Sequence, residues 1–191
     1  NEIIDDNRPA IHGGSATPGD VITVYDNGTP VGTTVVDPNG NWTFTPSTPL
    51  VDGPHSITVT AKDPAGNVST PSPAIPFIVD TAAPVVTASQ TFSYSENQHA
   101  GAQVGAAVAA DANGVTQWRF DNGTQVSSDG YYAIDNAGNI TLTTAGAAAA
   151  TNDYESVPNS FNLNVQAGDA AGNWSTATQT DLAVTNVNEA P

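Results

Sequence analysis

Short runs of alternating apolar and polar residues recur along the chain, each closed by Gly, Pro, Asn or Asp. VITVY (Val21 to Tyr25), VGTTVV (Val31 to Val36), NWTFT (Asn41 to Thr45), SITVTA (Ser56 to Ala61) and AIPFIV (Ala74 to Val79) are rich in β-formers, and each predicts a strand. Six or seven short strands joined by turns within about 80 residues predict a small β-sandwich. Trp42 and Phe44 fall on one side of their strand, with Ile57 and Val59 as inner-face partners, so these aromatics are expected in a core.

VDTAAPVV (Val79 to Val86) reads as a boundary, because one apolar series ends there and Pro84 restricts its neighbour before another begins. The second series is TFSY (Thr91 to Tyr94), QVGAAVAA (Gln103 to Ala110), TQWRF (Thr116 to Phe120), YYAI (Tyr131 to Ile134), NITLTT (Asn139 to Thr144), FNLNVQA (Phe161 to Ala167) and TATQTDLAV (Thr176 to Val184). The expectation is an all-β chain of two tandem antiparallel sandwiches, residues 1–81 and 82–191. One helical turn is expected in the alanine run Ala147 to Ala150, confined by Gly146 and Asn152.

Composition narrows the function. Of 191 residues, 38% are hydrophobic, enough to build cores, and there is no Cys to form disulfides or thiolate metal sites. No apolar run approaches the length of a membrane span, so direct membrane insertion is not expected. Asn1 is not an initiator Met and both ends read as linker, so the chain is expected to be a soluble segment of something longer. Three Lys plus Arg against nineteen acids give a formal charge of -16, which argues against a nucleic-acid partner. Residues 1–81 hold nine acids and two bases, and residues 82–191 hold ten and one, so the acidity belongs to both domains.

Fifteen of the acids are Asp, mostly beside Gly, Asn or Pro. Their repulsion is almost unrelieved within the sequence, and a hard divalent cation is the simplest counter-charge. Calcium takes six to eight oxygen ligands, and a sandwich gathers loop residues at its two ends. Strand order places Asp26 and Asp63 at the end where Asp5 and Asp6 enter, and Asp37, Asp52 and Asp80 at the opposite end, toward the second domain. A D-x-x-G-N turn occurs four times, starting at Asp37, Asp63, Asp135 and Asp169. Around Asp63 and Asp169 the longer text repeats with an offset of 106 residues. Each copy is either a plain strand connection or a ligand loop, with Asp37 and Asp135 expected to be plain turns.

An enzyme is not expected. His12, His55 and His99 lie far apart without paired metal-ligand spacing, Ser156 and Ser160 lack a nucleophile elbow, and Gly13-Gly14 does not open a phosphate loop.

The text GSATPGDVITVYDNGTPVGTTVVDPNGNWTFTPSTPLVDGPHSITVTAKDPAGNVSTPSPAIPFIVDTAAP, Gly14 to Pro84, resembles the bacterial immunoglobulin-like repeats of large biofilm-associated adhesins. FSYSENQ (Phe92 to Gln98), AADANG (Ala109 to Gly114), YAIDNAGNITLT (Tyr132 to Thr143), NDYES (Asn152 to Ser156) and VNEAP (Val187 to Pro191) resemble a bacterial cadherin-like domain. The resemblance implies an immunoglobulin-like sandwich followed by a cadherin-like one, within a secreted repeats-in-toxin adhesin on the outer surface of a Gram-negative bacterium. It also implies calcium at the joints.

By that resemblance Glu96 is the acid near the first strand, Asp153 and Glu155 are the D-x-E pair, and Asn186, Asn188 and Glu189 are linker ligands. Asp111 and Asn113 resemble the D-x-D or D-x-N loop, and Asp169 the later loop aspartate. Asn186 and Asn113 supply amides where the family commonly has carboxylates. Asp80, with Asp37 or Asp52, is expected to share an ion with Asp111, Asn113 and Asp169 at the middle joint. The implied function is a calcium-rigidified spacer supporting adhesion and biofilm formation, with neighbouring domains of the same chain as partners and an unknown distal ligand. The alternative is a module that binds glycan or protein directly, for which Trp118, Tyr131, Tyr132 and Trp174 are the candidates.

Overall fold

Alternation along each strand decides which side chains turn inward, and the inward set builds a separate core in each of two units, residues 1–82 and 83–191. The structure, a computed structural model, describes residues 1–156 and 158–188.

The first unit contains β1 (Glu2–Ile4), β2 (Ile11–Gly13), β3 (Val21–Asp26), β4 (Thr29–Val35), β5 (Trp42–Phe44), β6 (Gly53–Lys62) and β7 (Ile75–Val79). One sheet has the order β1-β7-β6-β3-β4, and β2 pairs with β5 in the other. Ile22 and Val24 from β3, Phe44 from β5, Ile57 from β6 and Phe77 and Val79 from β7 are buried together, with Trp42 and Val59 packed against them. Fully burying one such side chain is worth about 1.5–3 kcal/mol.

The second unit contains β8 (Val85–Val86), β9 (Gln90–Ser95), β10 (Gln103–Ala106), β11 (Ala109–Ala110), β12 (Val115–Phe120), β13 (Tyr132–Ile134), β14 (Asn139–Leu142), β15 (Ser160–Asp169) and β16 (Thr178–Thr185). The order β12-β15-β16-β9 forms one sheet, β10-β14-β13 another, and β8 pairs with β11. Trp118, Phe120, Tyr132, Ile140, Val165 and Leu182 are among its buried residues. The ladders are antiparallel except at two places: β1 runs parallel to β7, and β9 parallel to β16.

Three local features depart from the sequence reading. The run Gln103 to Ala110 is not one strand: β10 joins β14 while β11 joins β8, so the chain changes sheet near Ala107. The helical turn lies at Thr144–Ala147, ahead of the alanine run, because the Thr143 hydroxyl accepts from the Gly146 amide and caps it there. A 3₁₀ turn then covers Ala150–Asn152. The strands β1 and β2 are three residues each, too short for a periodic signal.

All four D-x-x-G-N turns are built alike. In each, Oδ1 of the Asp accepts the amide of the residue four positions on, at 2.8–2.9 Å. In three of them the Asn side chain donates to Oδ2 of the same Asp. Those bonds to Asn67 and Asn139 hold the Asp63 and Asp135 carboxyls below their ordinary range. The glycines sit at φ +83, +96, +85 and +105, the left-handed region a side chain avoids. At Gly138 a Cβ would also meet Ala107 O at 2.6 Å, whereas at Gly66 nothing lies within 4 Å.

His55 on β6 is buried and stacks on Phe77, with ring centroids 5.4 Å apart. Its Nδ1 lies 2.7 Å from Asp26 Oδ2 and its Nε2 2.7 Å from the Val51 carbonyl. Both partners can only accept, so both ring nitrogens must carry protons. Burial alone would lower the imidazole pKa, but the Val51 carbonyl and the Asp26 carboxylate together outweigh it and raise the value.

Two predictions arise from these features. Gly138→Ala and Gly66→Ala should each lose about 1 kcal/mol to left-handed strain, with Gly138→Ala losing distinctly more through its clash. Urea unfolding of the two variants measures the difference, and equal losses would contradict the packing described. For His55, a raised folded pKa means that its contribution to stability is complete below about 6.5 and is lost as pH rises through the folded value. Unfolding at about pH 6 and about pH 9 should therefore show the native protein losing more stability than His55→Gln over that interval.

Candidate metal centres

Parallel pairing brings the ends of β9 and β16 to one end of the second unit, with Ser95 opposite Thr185. Glu96 follows β9 directly and Asn186 follows β16. Into the same place the turn after the 3₁₀ segment carries Asp153 and Glu155. Carboxylate oxygens of Glu96, Asp153 and Glu155 lie within 4.8 Å of one another.

Backbone amides fix this group. Glu96 is 2% exposed, and its two oxygens accept from Val187 N at 2.6 Å and Tyr154 N at 2.8 Å. Those bonds hold its carboxyl below the ordinary range, so it stays ionised. Asn186 Nδ2 donates to Glu155 Oε1 at 2.9 Å, and the Glu155 amide donates to Asp153 Oδ1 at 3.1 Å. That amide pulls the Glu155 carboxyl down, but desolvation, Asp153 and the charge on Glu96 together raise it.

Three carboxylates therefore crowd one spot without a cationic side chain, since the sole ion pair among the described residues is His55–Asp26. Every donor in the group is oxygen, with neither imidazole nor thiolate. Such a set fits a hard cation of the calcium class rather than zinc or copper. Asn188 lies among the described residues beyond β16, and Glu189 lies outside them.

At the opposite end of the same unit, β15 runs into Asp169, which is 0% exposed, and carboxylate oxygens of Asp111 and Asp169 lie within 4.8 Å. The Asn113 amide donates to Asp111 Oδ1 at 2.8 Å, so Asp111 shapes its own loop as well.

In the first unit the expected grouping of acids does not hold. β3 and β6 are antiparallel neighbours, with Val21 opposite Lys62 and Asp26 opposite Ile57. The residues that follow them, Asn27 and Asp63, must then lie at opposite ends, and Asp26 is remote from Asp63. Asp5 and Asp6 are not beside Asp63 either, because β1 runs parallel to β7 and Ile4 sits opposite Val79. Asp5, Asp6, Asp26, Asp52 and Asp80 therefore occupy the end where β7 finishes. Asp63 and Asp37 occupy the other, because β4 returns Val35 to Val21.

Local partners engage several of these acids. Asp26 holds His55, Asp6 Oδ1 accepts from Arg8 N, and Asp52 Oδ1 accepts from both Thr81 N and Thr81 Oγ1. The Asp80 amide donates to Ile4 O at 2.9 Å, and its Oδ1 accepts from Ala82 N at 3.3 Å.

Two groups were missed by sequence reasoning. Asn152 is 4% exposed; its Nδ2 donates to Gln98 O and Ala147 O, and its Oδ1 accepts from Gln98 N. It ties the chain after Glu96 to the segment before Asp153, and its position directly before the D-x-E pair was the available signal. The other is Asp20, buried at 8% exposure, whose sequence context resembles any Gly-Asp turn.

Of the aromatics weighed for direct ligand recognition, Trp118 and Tyr132 are buried in the core. Trp174 is half-buried under the Arg119 guanidinium, 3.7 Å from its ring centroid, and Tyr131 packs against the core edge.

No curated protein matches the chain. Among solved structures, chicken VE-cadherin EC1-2 is similar at 16% identity, covering 97% of this chain and 96% of that one, with a TM-score of 0.47. The fibronectin(III)-like modules of Clostridium thermocellum CbhA are similar at 17% identity, covering 97% and 90%, with a TM-score of 0.45. Human protocadherin-24 EC1-2 is similar at 16% identity, covering 97% and 94%, with a TM-score of 0.44. Residues 1–81, all but the last residue of the first unit, match the family model of the bacterial Ig-like domain.

Proposed function

We propose that the chain is a calcium-rigidified spacer within a large bacterial surface adhesin, one that holds a distal adhesive domain away from the cell and so serves adhesion and biofilm formation. The observation that carries this reading is the Glu96–Asp153–Glu155 group, three carboxylates with one of them buried and no cationic side chain beside them. Asn186 stands next to Glu155, its Nδ2 donating to Oε1, and its side-chain oxygen is the proposed fourth ligand once a cation replaces that hydrogen bond. Calcium bound there would neutralise the group and fix the end of β16, through which the chain continues.

The match of residues 1–81 to the bacterial Ig-like domain supports an extracellular setting, and display on the outer surface of a Gram-negative cell is part of the proposal. Among the described residues no helix is long and apolar enough to cross a membrane, which leaves β-barrels unaddressed. Neighbouring domains of the same chain are the proposed partners.

The proposal extends to the joint between the units on chain order alone. Asp80 directly follows β7, and β8 opens at Val85. A cation held by Asp111 and Asp169 with Asp80 as a further ligand would restrict the hinge.

Two measurements test the reading. A ligand selective for the native state raises stability, by about 2.7 kcal/mol at a hundred times its Kd. Millimolar calcium should therefore raise the melting temperature, sodium at matched ionic strength should reproduce only part of the rise, and Glu96→Gln should remove one calorimetric binding event. Identical melts in calcium and in chelator would refute the calcium role.

The joint is tested separately by solution scattering of Asp80→Asn and Asp111→Asn, leaving Asp169 intact because it holds its own turn. Either variant should broaden the calcium-bound distribution of inter-domain distances while the native protein stays narrow. An equally narrow distribution in both would reject the shared ion and leave the Glu96 centre standing.

A further inference from the structure

Asparagine stands directly before glycine four times, at Asn27-Gly28, Asn39-Gly40, Asn113-Gly114 and Asn122-Gly123. The pair has a chemistry of its own. A glycine amide nitrogen, with no Cβ to block its approach, can attack Cγ of the preceding Asn side chain. A C–N bond forms, the bond from Cγ to Nδ2 breaks, and ammonia leaves with the glycine amide proton. Water then opens the cyclic imide at either carbonyl. The product is aspartate in the ordinary backbone, or isoaspartate with the backbone routed through Cβ. In sum, one side-chain amide and one water become one carboxylate and one ammonium ion.

Conformation and exposure do not separate the four pairs. All four Asn are exposed, and the glycines share the left-handed region, at φ +80, +83, +91 and +79 in chain order. Hydrogen bonding does separate them. The reaction needs a side chain free to swing and a glycine amide free to attack, and a turn can hold either. At Asn27 the side chain is held, its Nδ2 donating to Pro54 O at 3.2 Å. At Asn39 the nucleophile is held, the Gly40 amide donating to Asp37 O at 3.0 Å. At Asn122 both are held. Its Nδ2 donates to Val126 O at 2.8 Å, its Oδ1 accepts from Thr124 N and Thr124 Oγ1, and the Gly123 amide donates to Phe120 O at 3.0 Å.

At Asn113 neither is held. Among the described residues its side chain makes no hydrogen bond and the Gly114 amide has no acceptor. Only the Asn113 amide is tied, donating to Asp111 Oδ1 at 2.8 Å, which fixes the start of the turn and leaves the reacting atoms unrestrained. A Cβ at Gly114 would meet nothing within 4 Å, so the imide has room to form there.

We propose that Asn113 is a self-modification site, converted by Gly114 and water to aspartate or isoaspartate ahead of the other three Asn-Gly pairs. The product places a new carboxylate in the loop of Asp111, whose own carboxylate lies within 4.8 Å of that of buried Asp169. The loop leading into β12 thus gains negative charge as the protein ages, and its acidic neighbours feel that charge as they would any other fixed one. The conversion needs no cation and is independent of the spacer reading.

The experiment uses the full chain in chelator, so that no cation braces the loop, aged at mildly alkaline pH both native and in guanidinium. Digests are mapped by mass spectrometry, which reads O in place of NH at each Asn, with Asn113→Asp as the standard for the aspartate product. A hydrogen bond that must first be given up is worth about 1 kcal/mol, a slowing of about fivefold. Asn113 should therefore convert about five times faster than Asn27 or Asn39, and Asn122 should be the slowest. In guanidinium, where the turns are lost, the four rates should draw together. Asn113→Gln should remove the fastest phase of ammonia release from the native chain and leave the other three sites unchanged.

Equal rates at the four sites of the native chain overturn the assignment, as does a site other than Asn113 in the lead. So does a ranking that survives in guanidinium with the same spread, because neighbouring sequence rather than the fold would then set it. An Asn113→Gln chain that releases ammonia as fast as the native one has the same force.

Discussion

Negative charge without a partner is the constraint around which this chain is organised. Nineteen acids face three Lys and Arg residues, and among the described residues the one ion pair, Asp26 with His55, uses a histidine. Repulsion of that kind cannot be relieved by pairing, so the sequence distributes it instead. The strands carry the neutral cores, while most carboxylates stand in turns and at the ends of the sandwiches, where backbone amides or solvent meet them. Where several converge, as Glu96, Asp153 and Glu155 do, the backbone amides of Tyr154 and Val187 stabilise only Glu96 directly.

The D-x-x-G-N turn is the device that makes such distribution practicable. It turns the chain with an Asp whose carboxylate accepts its own loop's amides, so an acid is stabilised by the loop it shapes. Because the motif binds its own backbone, its presence does not by itself mark a ligand site. The four copies differ in what lies beside them. Asp169 has Asp111 within reach, and Asp63 lines a cavity together with Asp20.

Strand existence was legible in the sequence, because β3, β12 and β15 alternate cleanly and Gly, Pro or Asn punctuates them. The pairing of strands was not. Placing Asp26 with Asp63 assumed that β3 and β6 run in the same direction, and their antiparallel register sends the following residues to opposite ends. The short β1 and β2 carried no period, and Gln103 to Ala110 concealed a change of sheet behind a continuous run of small residues. The Glu96 group was legible through its resemblance to a known domain rather than through spacing, since 56 residues lie between Glu96 and Asp153. Asp20 was not legible at all, because only burial distinguishes it from an ordinary turn aspartate.

The parallel strand pairs give the fold a mechanical grain. In the first unit the chain enters along β1 and leaves along β7, and the two lie side by side pointing the same way, Glu2 to Ile4 against Phe77 to Val79. Tension applied to the two termini drags such strands past each other lengthwise, so every rung of the ladder resists at once instead of parting singly as in an unzipped hairpin. In the second unit β9 and β16 form the same kind of clip, six residue pairs long against three in the first. By that count alone the shorter clip is the weaker link under traction, and the pair of sandwiches becomes a graded fuse along the direction of pull.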